Sequence, residues 1–167
     1  MRPAGKRLSL RTLVLMALLG AGMTAAQVAM APLPNIEPVT LLILLFGRLY
    51  GWQTLFAIAV FVLLEGLIFG FGLWWVAYLY VWAVALMLAV LFRRLDSALG
   101  WAALSGLFGL CFGGLCALVY LPIGGPALFF TTLVSGIPFD LLHAAGNFAL
   151  MLLLYRPCTA ALRYLQE

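Results

Sequence analysis

The sequence predicts an all-α integral membrane bundle of six transmembrane helices, with the N-terminus and the C-terminus both cytoplasmic, and three observations carry that prediction. Hydrophobic residues fill 66% of the 167 positions and charged residues only 8%, about a third of the charged share of an ordinary soluble domain. The apolar residues gather into six stretches separated by short Pro-, Gly- or Arg-containing breaks. All nine Lys and Arg residues then fall on one side of the membrane.

The first helix is expected at about 12–30, after a basic segment with Arg2, Lys6, Arg7 and Arg11 and before the Pro-rich piece 31–35. A second, shorter run at about 38–50 stops at Tyr50-Gly51, where Gly marks a tight turn, and is marginal as a full span. The third is expected at about 52–70 and the fourth at about 74–92, opened by Trp74 and Trp75 and closed by Arg93 and Arg94. The fifth covers about 98–121 and is broken by Pro122-Ile123-Gly124-Gly125-Pro126. The sixth covers about 127–155, with Pro138 expected to kink it by removing a backbone donor. One transmembrane domain, 1–167, leaves no room for a soluble one.

Orientation follows from the charges. Arg2 to Arg11, Arg48, Arg93 with Arg94, and Arg156 with Arg163 occupy alternate ends, while the loops around Leu33, Phe71 and Ile123 carry no Lys or Arg. By the positive-inside rule the basic ends are cytoplasmic, in the inner or plasma membrane of a prokaryote. The formal charge of +4 therefore gives no reason to expect a nucleic-acid partner. The basic start, the apolar core and Ala29-Met30-Ala31 also resemble a cleavable secretory signal. The length of the apolar stretch favours a retained helix.

Two carboxylates fall inside apolar helices, Glu65 and Asp140, where an acid costs a few kcal/mol or more and usually faces a bundle interior or a wet cavity. Glu37 stands beside Asn35 in the first outer loop. Asp140, His143 and Asn147, at i, i+3 and i+7, share one helical face within about 60°. A neutral His143 beside Asp140 offers a hydrogen bond to it and a donor and acceptor to a ligand; the alternative is a network that only fixes helix packing. Trp74, Trp75, Tyr78 and Tyr120 gather near the outer ends, either as rings for a planar ligand or as a headgroup belt.

Ala17 with Ala21, Gly66 with Gly70, and Gly109 with Gly113 have the small-xxx-small spacing of close helix contacts, within this chain or with a partner. Cys111, Cys116 and Cys158 suggest neither a disulfide framework nor a metal site, and read as packing residues. The chain carries no P-loop, HExxH, GxSxG or CxxC motif. It is therefore expected to be no enzyme, to need no cofactor, and to depend on a partner or a coupled ion for any uphill transport.

In architecture and in several segments the chain resembles a substrate-binding S component of an energy-coupling factor (ECF) transporter, the vitamin-uptake relatives of ABC importers. The resemblance rests on six short-looped helices, on Ala17-Leu18-Leu19-Gly20-Ala21, on Pro34-Asn35-Ile36-Glu37-Pro38-Val39-Thr40, and on the segment from Asp140 to Phe148. It implies a vitamin or related micronutrient bound in the extracytoplasmic half, a transmembrane coupling protein and two cytoplasmic ATPase subunits. It makes Ala17 and Ala21 the docking face for the coupling protein. Asn35, Glu37, Trp74, Trp75, Tyr78, Tyr120, Asp140, His143 and Asn147 become candidate ligand-lining residues, with Glu65 added as an acid within the membrane.

Two rivals come from other classes. One is a structural membrane protein resembling the cell-shape factor MreD, which has a similar size and helix number. The other is a small ion-coupled carrier with Asp140 and His143 as a proton relay.

Overall fold

The computed structural model describes residues 9–32 and 37–164, apart from the side chain of Arg163. Among these residues it is helical throughout, with no strand: α1 Leu10–Met30, α2 Val39–Tyr50, α3 Thr54–Phe69, α4 Leu73–Leu91, α5 Ala98–Ala117 and α6 Leu121–Tyr164. Four helical stretches are long and apolar enough to cross a membrane: Leu10–Met30, Val39–Phe69, Leu73–Leu91 and Ala98–Leu162. The second and fourth of these contain the breaks at Gly51 and Gly125 described below.

Local chemistry sets the helix ends. Ser9 and Ser97 cap α1 and α5, accepting from Thr12 N at 3.1 Å and Gly100 N at 3.2 Å. After α2 the chain turns at Gly51, whose φ of 60° suits a residue without a Cβ, and passes through a 3-10 turn, Gly51–Gln53, into α3. Gly70, at φ 88°, ends α3 in the same way.

The junction of α5 and α6 differs from the expected loop. Pro122 has no N–H to give the carbonyl of Leu118, and the backbone tightens into a 3-10 turn, Leu118–Tyr120, just before it. Helix resumes over 121–124 and is interrupted only at Gly125, at φ 68° and ψ −168°. The break is thus one residue rather than the whole of 122–126. From Pro126 the helix runs to Tyr164, well past the expected end at 155, and keeps its helical assignment through Pro138 and Pro157.

Side-chain pairings fix the direction of every helix. Gly20 packs on Ala57 and Val60, while Gln27 reaches Glu65, so α1 and α3 run parallel. Glu37, just before α2, lies within charge range of Tyr78 while Gly47 packs on Leu86 and Ala89, so α2 and α4 share a direction. Thr40 meets Asn147, and Arg48 lies over Tyr155, so α6 joins them. Gly66 packs on Trp75 while Phe61 meets Trp82, which makes α4 antiparallel to α3, and Gly113 on Asp140 with Gly106 on Phe148 makes α5 antiparallel to α6. The six helices therefore alternate in direction along the chain.

At the centre stands α2, in contact with all five other helices. Every residue from Val39 to Gly47 is buried except the half-buried Leu42. Val39, Ile43 and Phe46 join the core shared with α1, α3 and α4; Leu41, Leu44 and Leu45 join the one shared with α5 and α6. Twelve residues rise only about 18 Å, less than the roughly 30 Å of hydrocarbon. Walled by protein on all sides, α2 has no need to match the bilayer.

Arg11, Arg48, Arg93, Arg94 and Arg156 all stand at one end of this bundle, by the helix directions above. Arg48 is embedded there: its Nη2 donates to Asp96 Oδ1 at 2.9 Å, and its guanidinium lies 5.7 Å from the Trp101 ring centroid and 5.5 Å from that of Tyr155. The opposite end carries the polar residues singled out above.

Candidate functional site

Near that opposite end Glu65 projects from the last turns of α3 into the bundle, and only 1% of it is exposed. Gln27, on α1, donates from Nε2 to Glu65 Oε2 at 2.9 Å. This partner was not singled out from the sequence, where a glutamine in an apolar helix that faces a carboxylate two helices away leaves only the trace of one polar residue in an apolar run. The parallel register of α1 and α3 brings the two together.

Glu37, just before α2, and Tyr78, on the second turn of α4, complete the group. Glu37 is close enough for its charge to act on Glu65 and Tyr78, and the Tyr78 hydroxyl lies beside Gln27. Burial pushes the Glu37 carboxyl above the usual carboxylate range. Three oxygens of this group are buried without a partner among the described residues: Gln27 Oε1, Glu37 Oε2 and Glu65 Oε1. Such groups in a native interior normally have a partner. Among the described residues no three His, Cys, Asp or Glu side chains are placed to hold a metal.

Asp140, His143 and Asn147 do share one buried face of α6, as the spacing predicts, but each goes to its own neighbour. Asp140 Oδ1 accepts from the Gly113 backbone N–H at 2.8 Å. Asn147 Nδ2 donates to Thr40 Oγ1 at 3.2 Å. The His143 ring stands edge-on to Phe112, 4.7 Å between centroids, and its Nε2 has no partner among the described residues. The expected Asp140–His143 hydrogen bond is not made. Asp140 and Asn147 tie α6 to α5 and α2.

The aromatic residues divide in the same way. Trp75 Nε1 donates to the Val62 carbonyl at 2.8 Å and its ring packs over Gly66, holding α4 on α3. Trp74, 37% exposed, meets the Tyr78 ring edge-on at 5.2 Å. Tyr78 continues inward through Phe61 at 6.2 Å, Trp82 at 5.2 Å and Phe112 at 6.4 Å, and so towards His143. Tyr120, half-buried in the 3-10 turn after α5, makes no ring contact with this chain of aromatics. A cleft of about 230 Å³ between α3 and α4 is aliphatic apart from Trp75 and Tyr78.

Asn35 lies outside the described residues. Ala17 and Ala21 are exposed on the outer face of α1, whereas the intervening Gly20 is the residue that packs against α3. Of the three small-residue pairs, only Gly109 with Gly113 seats a neighbouring helix, α6, with both of its members. Gly66 accommodates Phe71 and Trp75, and Gly70 ends a helix.

Compared with known proteins, the chain matches no family model, no curated protein and no solved structure.

Proposed function

We propose that this chain is the substrate-binding S subunit of an ECF-type importer, capturing a vitamin-like micronutrient outside the cell and delivering it inward with a coupling protein and two ATPase subunits. One observation carries the reading: Gln27, Glu37 and Glu65 each keep a buried oxygen without a partner among the described residues, in a polar cluster with Tyr78 at the end of the bundle away from the arginines. A helix packing contact would pair such groups; a binding site leaves them for its ligand. In this reading the six alternating helices each cross the plasma membrane of a prokaryote, the arginine end is cytoplasmic, and so are both termini. The polar cluster then lies in the outer half.

The exposed Ala17 and Ala21 supply a second feature of the reading. A face of α1 with methyl side chains lets another helix approach closely and slide with little interlocking, as an intermittent coupling partner requires. The ion-carrier alternative would use Asp140 and His143 as a proton relay, and in this structure Asp140 is bonded to the Gly113 backbone and not to His143. The MreD-like scaffold keeps one observation in its favour, the use of Asp140 and Asn147 for bracing.

The test is to purify the protein from cells and identify by mass spectrometry the small molecule that accompanies it. A stoichiometric micronutrient, lost in Glu65→Gln, is expected. A reproducibly empty protein that brings down cell-wall machinery would establish the scaffold instead.

A further inference from the structure

We infer that the polar cluster around Glu65 receives a positively charged group rich in N–H donors, an ammonium or amidinium carried on a small flat ring. The inference rests on the proposed role of this cluster as the ligand site and names the chemistry of what it takes.

The buried atoms that Gln27, Glu37 and Glu65 leave without a partner among the described residues are all acceptors. Gln27 Oε1, Glu37 Oε2 and Glu65 Oε1 come from α1, the segment before α2, and α3. The amide donor of Gln27 is already engaged by Glu65 Oε2. Two carboxyl groups near enough for the charge of one to act on the other thus each keep an open oxygen, with the Tyr78 phenol close by, and the described arginines stand at the other end of the bundle. A buried acceptor left open is costly, and a buried carboxylate needs a counter-charge. An occupant that brings N–H groups and positive charge answers both needs; a carboxylate or phosphate ligand would add to the repulsion. A bare metal ion fits less well, because the described His, Cys, Asp and Glu do not converge in threes. The Tyr78 ring, with Trp74 on its outer edge, supplies an aromatic wall suited to a cation and to a flat ring.

Benzamidine and benzamide separate these ideas, being nearly the same shape but cationic with donors in one case and neutral in the other. The full chain in lipid nanodiscs is titrated with each, following its melting temperature. Benzamidine at saturation is expected to raise it by about 3 °C or more and benzamide by less than about 1 °C. Glu65→Gln, which keeps shape and removes charge, should weaken benzamidine about tenfold or more, and Glu37→Gln should do so too. Equal shifts from both compounds, or none from either, would overturn the inference; the latter is expected if the two carboxylates simply share a proton.

The transport role is tested on a different face, by Ala17→Trp. A chain that ignores benzamidine yet assembles with a coupling protein and loses uptake in Ala17→Trp refutes the cationic ligand alone. One that binds benzamidine but joins no coupling protein refutes the transport role alone.

Discussion

The backbone N–H of Gly113 donates to Asp140 Oδ1 at 2.8 Å, so that a carboxylate inside an apolar bundle is held by a neighbouring helix backbone. The contact exists because residue 113 has no side chain: a Cβ there would fall on the Asp140 carboxylate. Gly113→Ala is expected to lower stability by about 1–3 kcal/mol through overpacking. Gly114→Ala, where the added carbon would meet only the flexible end of Leu133 at 3.4 Å, is expected to cause no loss and to gain up to about 1 kcal/mol from helix propensity. Unfolding midpoints in one detergent compare the two. Equal losses would show that Asp140 does not depend on the glycine.

Ala17→Trp and Ala21→Trp should leave the melting temperature and ligand binding unchanged, since both positions point out of the bundle. Uptake in whole cells should nevertheless fall to background. Gly20→Trp is the contrasting variant, expected to unfold the protein because Ala57 and Val60 occupy the space. Uptake that survives both alanine changes would remove the docking role from α1.

Arg48 should matter more for its rings than for its ion pair. Asp96 is 87% exposed, so Asp96→Asn is expected to change stability by no more than about 0.5 kcal/mol. Arg48→Ala loses the contacts with Trp101 and Tyr155 as well, and should cost about 2 kcal/mol. Denaturation of the two single variants and the double variant resolves the terms. A loss in Asp96→Asn as large as that in Arg48→Ala would reverse this ranking.

Glu37 gives the ligand-free protein a pH dependence of definite sign. Burial raises its folded value above the ordinary 4.5, so as pH rises the unfolded chain ionises first. Its contribution to stability is full below about pH 4.5 and is lost as pH rises through the raised folded value. Glu37→Gln should therefore melt higher than wild type at about pH 7, with the gap closing at about pH 4. A gap of the same size at both pH values would mean that the effect of the change is not electrostatic.

Much of the fold could be read from the order of residues, because a bilayer admits few solutions. Apolar runs and the breaks at Gly51, Gly70 and Gly125 mark the helices, and the arginines mark one end. The run over α2 looked too short for a span; it is the central helix, and its shortness is tolerated because protein surrounds it. The extent of α6 was not legible, since prolines at 122, 126, 138 and 157 offer several stopping points and packing decides which are used.

The candidate site was legible as chemistry and not as geometry. Glu65 stood out because a carboxylate in an apolar helix is rarely accidental. Gln27 did not, since nothing local distinguishes it from a glutamine that faces its own helix. Spacing put Asp140, His143 and Asn147 on one face, yet could not say that Gly113 and Thr40 would claim two of them.

The sequence by itself determined that the chain is apolar and all-helical, because hydropathy acts at the level of whole segments. Tertiary structure alone decided which polar groups meet. That Gln27 pairs with Glu65 while Asp140 is claimed by a glycine backbone depends on how parallel and antiparallel helices are registered, and register is set by side chains interlocking across helices far apart in the chain.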